Sequence, residues 1–71
     1  MSRRINADHE ELIGQHFRLP YSIAVSVVDD VHPEEQGVVI ATSTISGKAF
    51  EVDAWQVRGA IAAKAAKAAP R

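Results

Sequence analysis

Three histidines and nine carboxylates are the side chains of this 71-residue sequence best suited to hold a metal or move a proton. His9 and His16 stand seven apart, near one face of an expected first helix, with Asp8 and Glu10 beside them. A zinc or copper site needs at least one more ligand, for which His32 would have to come from a distant acidic segment. That spacing matches no established metal motif, so His16 is expected to pack on the helix face and His9 to be exposed. The acidic segment Asp29 to Gln36 presents its carboxylates as adjacent pairs. It lacks the alternate-position ligands and central glycine of a calcium loop, and reads as a solvated turn. Cysteine is absent, which excludes disulfides, Cys-ligated zinc and thiol nucleophiles. Ser, His and Asp all occur, but without a G-x-S-x-G elbow, a phosphate-cradling glycine loop or an H-E-x-x-H pair. No catalytic residue, cofactor-binding residue or metal ligand is therefore expected, and no cofactor.

Recognition is the remaining chemistry, and here charge is informative. Lys plus Arg is 8 and Asp plus Glu is 9, but the near-neutral total hides segregation. Residues 5–35 carry Asp8, Glu10, Glu11, Asp29, Asp30, Glu34 and Glu35 against a single base, Arg18. Residues 54–71 carry Arg58, Lys64, Lys67 and Arg71 and no acid. Such a layout gives either a bipolar surface that steers a charged partner or ordinary solvated charge matched to helix dipoles. Arg3 and Arg4 add a short basic arm. Tyr21 follows Pro20, and Trp55 lies well round the last helix from its apolar stripe, so each is a candidate aromatic anchor for a partner. Arg58, Lys64, Lys67 and Arg71 form the alternative, a weak phosphate-contacting set without a helix-turn-helix, zinc finger or basic-aromatic stacking surface.

These residues must be positioned by few elements. Asp8 with Glu11 makes a capping-box pattern for a helix in which Leu12, Ile13, His16 and Phe17 share a face, with Pro20 barring continuation beyond Leu19. From Tyr21 the period changes to two, and Ile23, Val25 and Val27 are expected to face inward from a first strand. Val38 to Ile45 forms an uncharged second strand of ambiguous facing. Ser46-Gly47-Lys48 forms a tight turn, and Ala49 to Val52 a third strand with Phe50 and Val52 inward. Asp53 and Gln56 form a second capping box, with Val52 and Val57 as its hydrophobic staple, so the last helix should start at Ala54. Its inner stripe is Val57, Ile61 and Ala65.

The fold class predicted is α+β, a small three-stranded antiparallel sheet flanked by two short helices in the order α-β-β-β-α. Residues 1–7 form a flexible basic arm, 8–65 one domain and 66–71 a frayed basic tail. The sheet's second face should show Ser, Thr and Ala. Twelve alanines and only four aromatics leave little bulk for a core. A chain of this size rarely holds more than ~3–5 kcal/mol of net stability, which leaves little to maintain a strained active site. No apolar run of about 18 residues and no basic-then-apolar leader occur, so neither a membrane span nor a signal peptide is expected.

The basic arm Met-Ser-Arg-Arg-Ile-Asn, the acidic start Asp-His-Glu-Glu-Leu, a minimal sheet and the missing catalytic set give a layout that resembles small bacteriophage-encoded proteins. Those proteins bind and reprogramme a large host machine, above all RNA polymerase. The resemblance implies a protein partner, cytoplasmic action in a bacterial host and interference with transcription. The reading is a non-enzymatic protein-binding regulator whose partner contacts are Arg3, Arg4, Asp8, Glu10, Glu11, Tyr21 and Trp55. A nucleic-acid accessory protein using the arm and tail is the alternative, and a small structural or virion component is a third class.

Overall fold

A computed structural model describes residues 5–68, with side chains through residue 66. The element order is a 3-10 helix η1 (Ala7–Leu12), β1 (His16–Phe17), β2 (Ser26–Val31), β3 (Val38–Ser43), β4 (Ala49–Asp53) and α1 (Ala54–Ala68). The strands form one antiparallel sheet in the order β1-β2-β3-β4. The α+β class holds, but the described residues form four strands instead of three. One six-residue 3-10 turn and one long helix stand where two short helices were expected.

The correction starts at Gly14. Its φ of 86° lies in the left-handed region, and its N–H donates to the Val28 carbonyl at 2.8 Å. The chain therefore leaves helical geometry after Leu12 and enters the sheet, where His16 pairs with Val27 and Phe17 with Ser26. Phe17 still reaches the core, but from a strand. Asp8 does not cap the first turn. Asn6 precedes it at φ 63° without a side-chain cap bond, and it is buried, so the folded body begins within the stretch expected to be arm. Arg3 and Arg4 lie outside the described residues.

In the next segment the facing is reversed. Tyr21 to Val25 is irregular, and β2 starts only at Ser26. Ser26 and Val28 point into the core, while Ile23 is 89% exposed and Val27 lies on the other face. The adjacent valines 27 and 28 break the alternation, so period two alone does not say which set turns inward. Asp29 is the extra residue of a β-bulge between Val28 and Asp30, which carries the acidic pair inside the strand instead of the following loop. The Thr42 hydroxyl donates to the Asp29 carboxylate across the strands.

In the C-terminal half the facing of β4 and the start of α1 follow the local signals, but β3 ends at Ser43 instead of Ile45, and a five-residue connection, 44–48, replaces the expected tight turn at Ser46-Gly47-Lys48. Gly47 takes a φ of 74° in the connection from β3 to β4, and its N–H donates to the Ser43 carbonyl at 2.9 Å. Val52 is buried, Phe50 half-buried and Glu51 exposed, as the pattern requires. α1 starts at Ala54, whose N–H donates to the Gly37 carbonyl at 2.8 Å, and Val52 and Val57 are both in the core. The inner stripe proves to be Ala54, Val57, Ala60 and Ile61, whereas Ala65 is exposed. One apolar layer lies between the sheet and its covering elements, built from Leu12, Phe17, Val28, Val39, Val52 and Val57 among others. η1 packs on β2, and α1 packs on β1 and β4. The sheet's second face carries Val27, Val38, Ile40 and Thr42 with Asp30, Glu51 and Asp53. It is more apolar and more acidic than the Ser, Thr and Ala expected.

Asn6 organises the loop between β2 and β3. Its side-chain amide donates to the carbonyls of Glu35 at 2.7 Å, His32 at 2.9 Å and Val38 at 3.3 Å, and its Oδ1 accepts the Gly37 N–H at 2.6 Å. His32 holds the same loop from inside. Its Nδ1 accepts the N–H groups of Glu34 and Glu35 at 3.0 and 2.9 Å, which assigns the ring proton to Nε2, 3.0 Å from Glu51.

Candidate functional site

The segment that carries Arg18 and Tyr21 is tied down at several points. Leu19 is buried, the Ser22 N–H donates to the Leu19 carbonyl at 3.0 Å, and Arg18 Nη1 donates to the Ser22 carbonyl at 3.2 Å. Thr44 fastens the far end, donating both its N–H and its hydroxyl to the Val25 carbonyl. This turn stands beside α1, and a groove of about 850 Å³ separates them. One wall is α1, contributing Trp55, Gln56, Gly59, Ala60, Ala63 and Lys64. The other is β1 and the turn, with Phe17, Leu19, Pro20, Tyr21 and Val25 as its apolar part and Arg18 and His16 as its polar part. Residues 55, 59 and 63 recur at a four-residue step, so the helix presents a strip a little over two turns long.

Two of the expected partner contacts meet here. Tyr21 is 76% exposed and Trp55 is 70% exposed, and they stand on the two walls of one groove although 34 positions apart in the chain. Lys64, assigned to the alternative phosphate-contacting set, lies at the same groove.

Asp8, Glu10 and Glu11 do not join them; they sit on η1, outside the groove lining. Glu11 is instead engaged by a residue from the opposing reading. Arg58 Nη1 donates to Glu11 Oε2 at 2.6 Å, while Nη2 donates to the Asp8 carbonyl and to His9 Nδ1, each at 3.1 Å. Arg58 thereby ties α1 to η1, and its charge is matched. Its hydrogen bond, and next its positive charge, hold the Glu11 carboxyl below the usual carboxylate range. The expected acidic contact turn and basic helix are thus partly spent on each other. Lys67 lies in α1 with its side chain outside the description, and Arg71 lies outside the described residues.

The histidines go to three separate places, against Arg58, at the groove and under the β2–β3 loop. Among the described residues no three His, Asp or Glu side chains converge as metal ligands. Sequence reasoning missed Arg18, Leu19, Pro20 and Val25 as groove residues. Arg18 carried a signal, being the lone base of residues 5–35. The others carried none, because their position depends on where the turn docks.

Comparison with protein-family models, curated proteins and solved structures finds no match.

Proposed function

We propose that this protein is a non-enzymatic, protein-binding regulator that docks its partner in the groove between α1 and the 18–25 turn. The observation that carries the reading is the convergence of Tyr21 and Trp55, both largely exposed, on one apolar groove. Solvent-exposed Trp and Tyr in a concave apolar setting are costly to leave wet, and they are the residue types that dominate binding energy at interfaces. The aromatics have little part in the fold, since the core is made by aliphatic residues and Phe17. A large bacterial enzyme such as RNA polymerase is the partner class that the phage-type layout implies.

The test compares proteins captured from a bacterial lysate by wild type, Trp55→Ala and Tyr21→Ala. The two substitutions should leave the melting temperature within a few degrees and abolish capture of the same identified protein. Capture that survives both substitutions would move the interface off the groove.

A nucleic-acid accessory role is the second reading, favoured by Lys64 and Arg18 beside two aromatics on which bases could stack. The pairing of Arg58 with Glu11 counts against it, because it removes one of the four C-terminal cations from phosphate contact. Gel-shift titrations at low and high salt separate the two, since phosphate-driven binding weakens steeply with salt.

A further inference from the structure

We propose that the groove's occupant is an acidic amphipathic helix of the partner protein, an inference that rests on the groove being the docking site. The argument is the distribution of charge around it. All nine carboxylates of the chain fall on other parts of the molecule. Asp8, Glu10 and Glu11 are on η1, Asp29 and Asp30 on β2, Glu34 and Glu35 in the β2–β3 loop, and Glu51 and Asp53 on β4. The groove lining contains none of them and contains Arg18 and Lys64. In a chain whose acids outnumber its bases, an acid-free groove with a cation on each wall is an electrostatic selection for negative charge at its rim.

The interior selects differently. Beside the cations the lining includes Trp55, Tyr21, Phe17, Leu19, Ala60 and Ala63, which reward apolar side chains. A ligand must therefore be apolar along one stripe and anionic beside it. The strip on α1 runs from Trp55 to Lys64, nine positions, or about 14 Å at 1.5 Å per residue. That length matches two and a half turns of a second helix, whose anchors at i, i+3/i+4 and i+7 fill such a groove. Arg18 spends one guanidinium hydrogen bond on the Ser22 carbonyl, which steadies the side chain and leaves further donors for a carboxylate. A nucleic-acid strand would share the negative charge. It would not use the aliphatic part of the wall, which an amphipathic helix covers with its apolar stripe.

The experiment titrates the full chain with a synthetic amphipathic peptide of about 16 residues, a length set by the groove plus a turn at each end. It carries Leu and Phe anchors on one face and Glu on the flanks. Two control peptides replace every Glu by Gln or by Lys, and an oligothymidylate of similar length is the nucleic-acid control. Binding is read from Trp55 fluorescence, the chain's only tryptophan, and from anisotropy of the labelled peptide.

The Glu peptide should bind at least tenfold tighter than the Gln peptide, with affinity falling as salt rises, and Trp55→Ala should abolish binding. Arg18→Glu with Lys64→Glu should reverse the order in favour of the Lys peptide. Equal affinity for the Glu and Gln peptides, both lost in Trp55→Ala, would overturn the acidic partner and leave the groove as the docking site. Binding unaffected by Trp55→Ala would overturn both, and no binding of any peptide would overturn the acidic helix as the occupant. Tighter binding of the oligothymidylate would reassign the groove to nucleic acid. A dimer in light scattering that Trp55→Ala dissociates would assign it to a second copy of the chain.

Discussion

Removing the Asn6 side chain should be among the most damaging single changes outside the apolar core. Asn6 is only 8% exposed and closes the β2–β3 loop through four polar contacts. The three shorter ones are 2.6, 2.7 and 2.9 Å long, and a net hydrogen bond contributes about 1 kcal/mol. Asn6→Gly should therefore cost about 3 kcal/mol, since glycine accepts the φ of 63° without strain. Asn6→Ala should cost about 1 kcal/mol more, because a Cβ is disfavoured in the left-handed region. Asn6→Asp retains the acceptor for Gly37 but directs a carboxylate at the carbonyl oxygens of His32, Glu35 and Val38. It should be more destabilising at neutral pH than at acid pH, where the carboxyl can donate. For a domain of this size such losses approach the whole net stability of ~3–5 kcal/mol. The assay is urea denaturation followed by circular dichroism, with an osmolyte added to refold the weakest variant. Amide exchange at Gly37 gives a local readout. If Asn6→Gly and Asn6→Ala both stay within about 0.5 kcal/mol of wild type, the amide network does not hold the loop. If glycine restores full stability while alanine does not, only backbone conformation is at stake.

Other outcomes follow from the same structure. Val28→Ala should cost about 2 kcal/mol, two buried methyl groups plus a residual cavity. Ile23→Ala should stay within about 0.5 kcal/mol, because Ile23 is exposed. The reverse order in thermal or urea melts would mean that the strand faces the other way. The Glu11 carboxyl, held low by Arg58, takes up its proton less readily folded than unfolded. The stability it contributes is thus present above the ordinary carboxylate range and lost as pH falls through the lowered value. Glu11→Gln should accordingly flatten part of the acid limb of a stability–pH curve, and an unchanged limb would show that the pair does not form in solution. Deleting residues 66–71 should preserve a cooperative melt, since residues 62–66 of α1 are already exposed; loss of the folded spectrum would show a packing role for the tail.

The sequence alone determined the structure where the deciding contacts are short-range. The positive φ at Gly47, the facing of Phe50 and Val52, the start of α1 at Ala54 and the burial of Val52 and Val57 are set by residues within about one turn or one hairpin of each other. Backbone propensity, turn geometry and the staple act there without knowledge of the remaining chain.

Tertiary structure decided the rest. Leu12, Ile13, His16 and Phe17 match a helical face, yet Gly14 and pairing with β2 place His16 and Phe17 in a strand, because a sheet partner outweighs a marginal helix of two turns. Tyr21 to Val28 alternates on either face equally well, and only the docking of Val28 against β3 chooses the buried set. Asn6 reaches partners 26 to 32 residues away, and Arg58 meets Glu11 across 47. The aromatic character of Tyr21 and Trp55 was legible in the sequence. Their convergence on one groove was not, because it depends on the turn after β1 being held beside a helix built from the opposite end of the chain.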